Sequence, residues 1–253
     1  MQPDRVLLSR EMLAAAIGDR WSTSDVAAAA ELLAESNGQF VPTARLRELP
    51  SELIKAVQRE RMLAGMLRAT SEVGYHDVSV QNVLERAGIS RPTFYEQFDN
   101  KEDCFLVAID AAARRLRERV EAAAVEGGAN WRDRLRMGVE ELLRFIADEP
   151  DAARALIVEA RGAGPVGVLR YDDLLEHFSS CIDAQIREEL PDASSSISAD
   201  GIVGGIAMLL HARLSKGELD DLESLLPSLM YFAVLPYGGH EAATEELSGT
   251  ASS

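Results

Sequence analysis

Apolar residues recur every three to four positions along nearly the whole chain, and strict two-residue alternation is scarce, a pattern that predicts helices and no sheet. From about Glu52, Val57, Leu63, Met66, Leu67, Thr70 and Val73 fall near one face of a helix that Gly74 ends. A short helix is expected over about 79–87, then a tight turn at Gly88 and a second short helix over about 91–97. Asn100 is placed to cap a long helix whose Phe105, Ile109, Ala112, Leu116, Val120 and Ala123 share a stripe. Further helices are expected from Asn130 to Pro150, then over 151–161, 166–190, 198–215 and 219–234. The last has Leu222, Leu225, Leu226, Leu229 and Ala233 on one stripe. Upstream, 9–36 read as one or two Ala-rich helices with Ser24 capping the second, and 37–50 as a linker. The expected fold is therefore all-α. A three-helix head (51–100) precedes a larger helical body (101–240), flanked by an accessory extension (1–50) and a flexible tail (241–253).

Two short helices joined by a glycine-containing turn make a helix-turn-helix. Within "GISRPTFYEQF" (88–98), Ser90 is the N-cap of the second helix, and Ile89 and Phe94 have the spacing of a hydrophobic staple. Pro92 sits in the first turn, where a missing N–H costs nothing. Turning 100° per residue buries Phe94 and Phe98 towards Val80, Val83 and Leu84. It leaves Pro92, Thr93, Tyr95 and Glu96 on an outward arc with Arg91 at its N-terminal end. Hydroxyls and helix N-termini grip phosphates, and Arg reaches guanine edges, so this outer face fits a DNA duplex.

Charge sharpens the picture. The chain carries a net −16, distributed as −3 over 1–42, +1 over 43–101 and −14 over 102–253. The segment with the helix-turn-helix is thus the least hostile to nucleic acid. Cys104 and Cys181, far apart in apolar contexts, read as free thiols in a reducing compartment rather than a disulfide framework. The N-terminus lacks a signal-peptide pattern and no apolar run reaches the length of a membrane span, so a cytoplasmic protein is expected.

The run "SVQNVLERAGISRPTFYEQFDNKEDCF" (79–105) resembles the DNA-binding signature of TetR-family transcriptional regulators, and the likeness extends over about 54–107. It shares the hydroxyl residue opening the second helix, the Ala-Gly-Ile-Ser turn, the Thr-Phe-Tyr-x-x-Phe recognition helix and the Lys-Glu pair opening the fourth. The resemblance implies a homodimeric regulator, a repressor, with a helical ligand-binding body that dimerises through the helices at about 198–215 and 219–234. It implies phosphate contacts from Ser79 and Gln81, and base-edge contacts from Arg91, Pro92, Thr93 and Glu96 beside the capping Ser90. Tyr95 and Lys101 would hold the DNA backbone. Pro92 removes an N–H where such proteins often carry a small residue. Glu96 places a carboxylate in a groove-facing slot, where it accepts from a cytosine amino group or holds Arg91. Those two departures leave open a helical binding module that acts through protein contacts instead of DNA. The long extension before the first head helix is atypical of the family; Arg45 and Arg47 within it are candidate arm residues for the minor groove or phosphates.

The remaining signals are weaker. "GAGPVG" (162–167) matches a dinucleotide-loop pattern but follows a helix and contains Pro, so an interhelical loop is expected. "GIVGG" (201–205) suits close helix approach at a dimer seam. No nucleophile–base pair, cofactor loop or zinc spacing is present, so neither an enzyme nor a bound cofactor or metal is expected. His177 and Cys181, four apart, would permit a metal or thiol site but read as ordinary pocket residues. With Phe178 and His211 they are the candidates for lining a cavity that binds a small-molecule effector.

Overall fold

The computed structural model describes residues 50–128, 130–190 and 196–248; residues 1–49 of the N-terminal extension, with Arg45 and Arg47, lie outside them. Among the described residues every regular element is helical, as expected. The chain divides into two compact units that meet in sequence between Ile109 and Asp110.

The first unit holds α1 (Ser51–Val73), α2 (Val80–Ala87), α3 (Arg91–Tyr95) and the start of α4 (Lys101–Glu126). Its core gathers Leu53, Val57, Met62, Met66, Val83, Phe94, Phe98 and Phe105, all buried. Val73, expected on the apolar face of α1, is instead 42% exposed; the stripe drifts off the core in the last turn before Gly74. α1 and α2 touch almost backbone to backbone at Gly65. A Cβ there would stand 3.0 Å from the Ala87 nitrogen and 3.1 Å from the Val83 oxygen. At the other end of this contact Arg86 Nε donates to Glu72 Oε2 at 2.9 Å, and this bond holds the Glu72 carboxyl below its ordinary range. Arg61, a charged residue in the core, directs Nη2 to the Gly88 carbonyl at 3.4 Å and so braces the turn from behind.

The second unit contains the rest of α4, then α5 (Trp131–Asp148), α6 (Pro150–Arg154), α7 (Gly164–Glu189), α8 (Ser196–Lys216) and α9 (Leu226–Leu247). Asn130 caps α5 by accepting from the Asp133 N–H at 2.9 Å. Arg115 and Arg119 of α4 bind Glu149 and Glu141 at 2.7 and 2.5 Å, tying α4 to α5 and its C-terminal end.

Four expectations for this unit are corrected. Residues 151–161 do not form one helix, because α6 gives way to a π turn (Ala155–Glu159) and a 3-10 turn (Ala160–Ala163). "GAGPVG" is not a loop: 162–163 close the 3-10 turn and Gly164, at φ 78°, opens α7. The helix expected at 219–234 is a 3-10 turn (Leu222–Leu225) followed by α9, which runs on, bent at Gly239 beyond Pro236, to Leu247. The tail up to Ser248 is therefore structured rather than frayed. Ala243 and Glu246 are buried, and Arg132 Nη2 of α5 holds Glu246 Oε1 at 2.7 Å while Arg136 holds its other oxygen. A carboxylate buried at 3% exposure is tolerable only because two guanidiniums offset its lost hydration.

Candidate functional site

The helix-turn-helix is built by caps. Ser79 accepts from the Asn82 N–H at 3.3 Å and Asn82 Oδ1 accepts from the Ser79 N–H at 2.9 Å, a reciprocal box that starts α2. Gly88, left-handed at φ 61°, ends it. Ser90 then starts α3 by accepting from the Thr93 N–H at 3.4 Å, and its hydroxyl lies 2.8 Å from the Thr93 hydroxyl. α3 is only five residues long, yet its orientation is fixed because Phe94 and Phe98 are buried in contact, ring centres 5.6 Å apart. The Arg59 guanidinium stacks over Phe98 at 4.6 Å.

The outer face matches the expected arc at most positions. Arg91, Pro92, Tyr95 and Glu96 are exposed, and Tyr95 stands edge-on against Phe94 at 5.4 Å. Thr93 is half-buried, its hydroxyl turned to Ser90 rather than fully outward. Arg91 Nη2 donates to Gln81 Oε1 at 3.1 Å, linking α3 to α2; its partner is Gln81 and not Glu96. Lys101 has a role the sequence does not suggest. Its Nζ donates to the carbonyls of Tyr75, His76 and Val78 at 3.2, 3.2 and 2.9 Å and lies over the Tyr75 ring at 4.9 Å. It therefore closes the α1–α2 connection.

The second unit holds a half-open apolar pocket of about 120 Å³ between α4, α5, α7 and α8, with Leu116, Val139, Leu174, Phe178, Val203 and Leu210 among its walls. The few polar side chains at its edge include Cys181, Gln185 and Arg134, and Arg134 binds Glu189 at 2.6 Å. Of the candidates named from sequence, Phe178 and Cys181 line the cavity, whereas His177 and His211 stand outside its walls. The aliphatic lining was legible only as stripes; which stripes face one another depends on the tertiary packing.

His177 Nε2 instead lies 2.5 Å from Glu121 Oε1 of α4, and Cys181 Sγ is 3.8 Å from the same nitrogen. Burial, and then the Glu121 charge, hold the Cys181 thiol above its ordinary pKa. Cys104 in the first unit is pushed up much further by complete burial. Neither thiol is activated as a nucleophile.

Comparison with known proteins fits this geometry. The family model for bacterial regulatory proteins of the tetR family matches residues 63–108, which span the helix-turn-helix and the start of α4. YdgC of Bacillus subtilis, an HTH-type transcriptional regulator, is 30% identical over 187 residues, covering 71% of this chain and 94% of its own length. Two solved structures share the fold. The fatty acid degradation regulator FadR from Bacillus halodurans superposes with a TM-score of 0.63 at 19% identity, over 72% of this chain and 95% of its own. FadR from Bacillus subtilis, solved in complex with stearoyl-CoA, gives 0.62 at 19% identity, over 71% and 98%. With its capped helix-turn-helix, its all-helical second unit and this extent of shared sequence, the chain belongs to the TetR family of bacterial transcriptional regulators.

Proposed function

We propose that this protein is a ligand-responsive, homodimeric repressor that binds a pseudo-palindromic operator and leaves it when a small apolar effector enters the second unit. The observation that carries the reading is the two-sided α3. Phe94 and Phe98 lock it from within, while Arg91, Pro92, Tyr95 and Glu96 stand exposed on the outside. A helix this short presents its N-terminal residues end-on to the major groove, where Arg91 reaches a guanine edge and Tyr95 a phosphate. Ser79 and Gln81, at the start of α2, face the backbone beside it. Gln81 also steadies the Arg91 guanidinium.

The cavity supports an apolar effector class. At about 120 Å³ it is comparable with engineered apolar cavities of about 150 Å³ that admit benzene, so it takes one ring or a short alkyl segment as it stands. A long acyl chain such as that bound by the FadR relative exceeds this volume, and holding it wholly within the unit would require the walls to part. That requirement is a mechanism: a ligand that binds only the widened form shifts the population towards it. α4, whose Leu116 and Val120 line the cavity, is covalently continuous with the segment that follows the recognition helix and is the natural lever.

The test is a gel shift on the DNA upstream of the protein's own gene, with and without a graded series of short to long fatty acids and simple aromatics. Retarded DNA that is released by one of these classes is the expected result. Arg91→Ala should cost about 1–3 kcal/mol and relax discrimination at one base position. No shift with any DNA, or an Arg91→Ala protein that binds unchanged, would move the head to the reading in which it docks protein.

A further inference from the structure

We propose that Glu121, His177 and Cys181 form a binding site for a divalent d-block cation of the zinc type on the flank of the second unit. α7 supplies His177 and Cys181 one helical turn apart on the same face, and α4 brings Glu121 across to them. The three ligand atoms all lie within 4.8 Å of one another, with the imidazole Nε2 near both the carboxylate and the sulfur. The donors thus converge on one small volume.

Geometry and chemistry agree on the cation. A tetrahedral ion with bonds of about 2.0–2.3 Å keeps its ligand atoms roughly 3.3–3.6 Å apart. The sulfur–nitrogen separation of 3.8 Å is already close to that. The carboxylate, at 2.5 Å from the imidazole, has to back away by a little under 1 Å, and a side chain 49% exposed has room to do so. A sulfur, an imidazole nitrogen and one carboxylate oxygen select zinc, cobalt or their neighbours; magnesium and calcium want oxygen throughout. Three protein ligands leave the fourth position to water. His177, with 34% of its side chain exposed, provides an entry from solvent. The site uses only α4 and α7 side chains, so it stands whether or not the effector reading above holds.

The experiment titrates Co(II) into the reduced, untagged full-length protein and follows thiolate-to-cobalt charge-transfer absorption, then displaces the cobalt with Zn(II). The expected result is one cobalt per chain, a charge-transfer band that Cys181→Ser removes, and an affinity lowered at least about tenfold by His177→Ala and by Glu121→Gln. Circular dichroism of each variant separates loss of the site from loss of the fold. A wild-type titration without the charge-transfer band overturns the proposal. So does a band that survives Cys181→Ser, or unchanged affinity in folded His177→Ala and Glu121→Gln proteins.

Discussion

At the scale of single residues, Lys101 and Tyr95 part company although the family resemblance gives both the same task. Tyr95 is exposed and meets the Phe94 ring in a T-shaped contact, so Tyr95→Phe keeps that contact and removes only a hydroxyl. The expected outcome is an unchanged melting temperature and weaker binding to all DNA sequences alike. Lys101 donates to three carbonyls that come 23 to 26 residues before it. Without its ammonium those carbonyls lose a charged donor, at a cost of about 1–3 kcal/mol. Lys101→Ala should therefore melt earlier and bind DNA less well, the second effect following from the first. A variant that melts like the wild type while its DNA affinity loses salt dependence would make Lys101 a phosphate contact after all. The same scale shows what sequence can reveal. The outward arc of α3 was legible because 100° per residue is all it needs. The partners of Lys101 and of Arg91, and the Glu121 partner of His177, were not, since each lies outside the residue's own helix and no periodicity encodes it.

At the scale of elements, caps and apolar stripes made most helices readable, and close contacts decided what they missed. α1 and α2 approach at Gly65, a glycine within a helix, where it costs about 1 kcal/mol relative to alanine. Its reward is contact: an added Cβ would press on the backbone of Ala87 and Val83 at 3.0–3.1 Å, and backbone does not rotate away. Overpacking of this kind costs about 1–3 kcal/mol, more than the helix gains, so Gly65→Ala should lower stability by about 1 kcal/mol in a denaturant titration. Gly138 of α5 supplies the contrast. Its Cβ would meet only a methyl of Val120 at an ordinary 3.5 Å, so Gly138→Ala should stabilise by about 0.5–1 kcal/mol. Equal responses at the two sites would mean that the α1–α2 contact yields more easily than its geometry implies. The π and 3-10 turns after α6 and the structured end of α9 escaped the sequence for a related reason. Glu246 is held by Arg132 and Arg136, more than a hundred residues upstream, and a terminal segment read alone gives no sign of them.

At the scale of the whole molecule, a net charge of −16 confronts a polyanion, so a single head has little long-range attraction to offer. In the proposed dimer, two joined heads would convert the second contact into an intramolecular one and recover affinity without new chemistry. In the proposed dimer, the surface for that union would lie on α8 and α9. Met208 is 73% exposed, and Leu209, Phe232 and Leu235 are each exposed by more than a third. Gly201 and Gly204 precede Met208 by seven and four residues, where an added Cβ would meet nothing within 4 Å. Small residues followed by a large exposed apolar one suit the close approach of a second copy. Phe232 also packs against Gly205, so replacing it would disturb this chain's own α8–α9 contact. Met208 has no such duty, which makes Met208→Glu the cleaner probe. Across a twofold axis it places a carboxylate in an apolar seam on each subunit, and like charges repel there. If the proposed dimer forms, light scattering should report a dimer for the wild type and a monomer for the variant at the same concentration. Operator affinity should fall by orders of magnitude while circular dichroism stays the same. A Met208→Glu protein that remains dimeric would place the seam on another face. One that is monomeric yet binds the full operator as tightly as the wild type would mean that each head recognises DNA alone, and the half-site geometry would have to be abandoned with it.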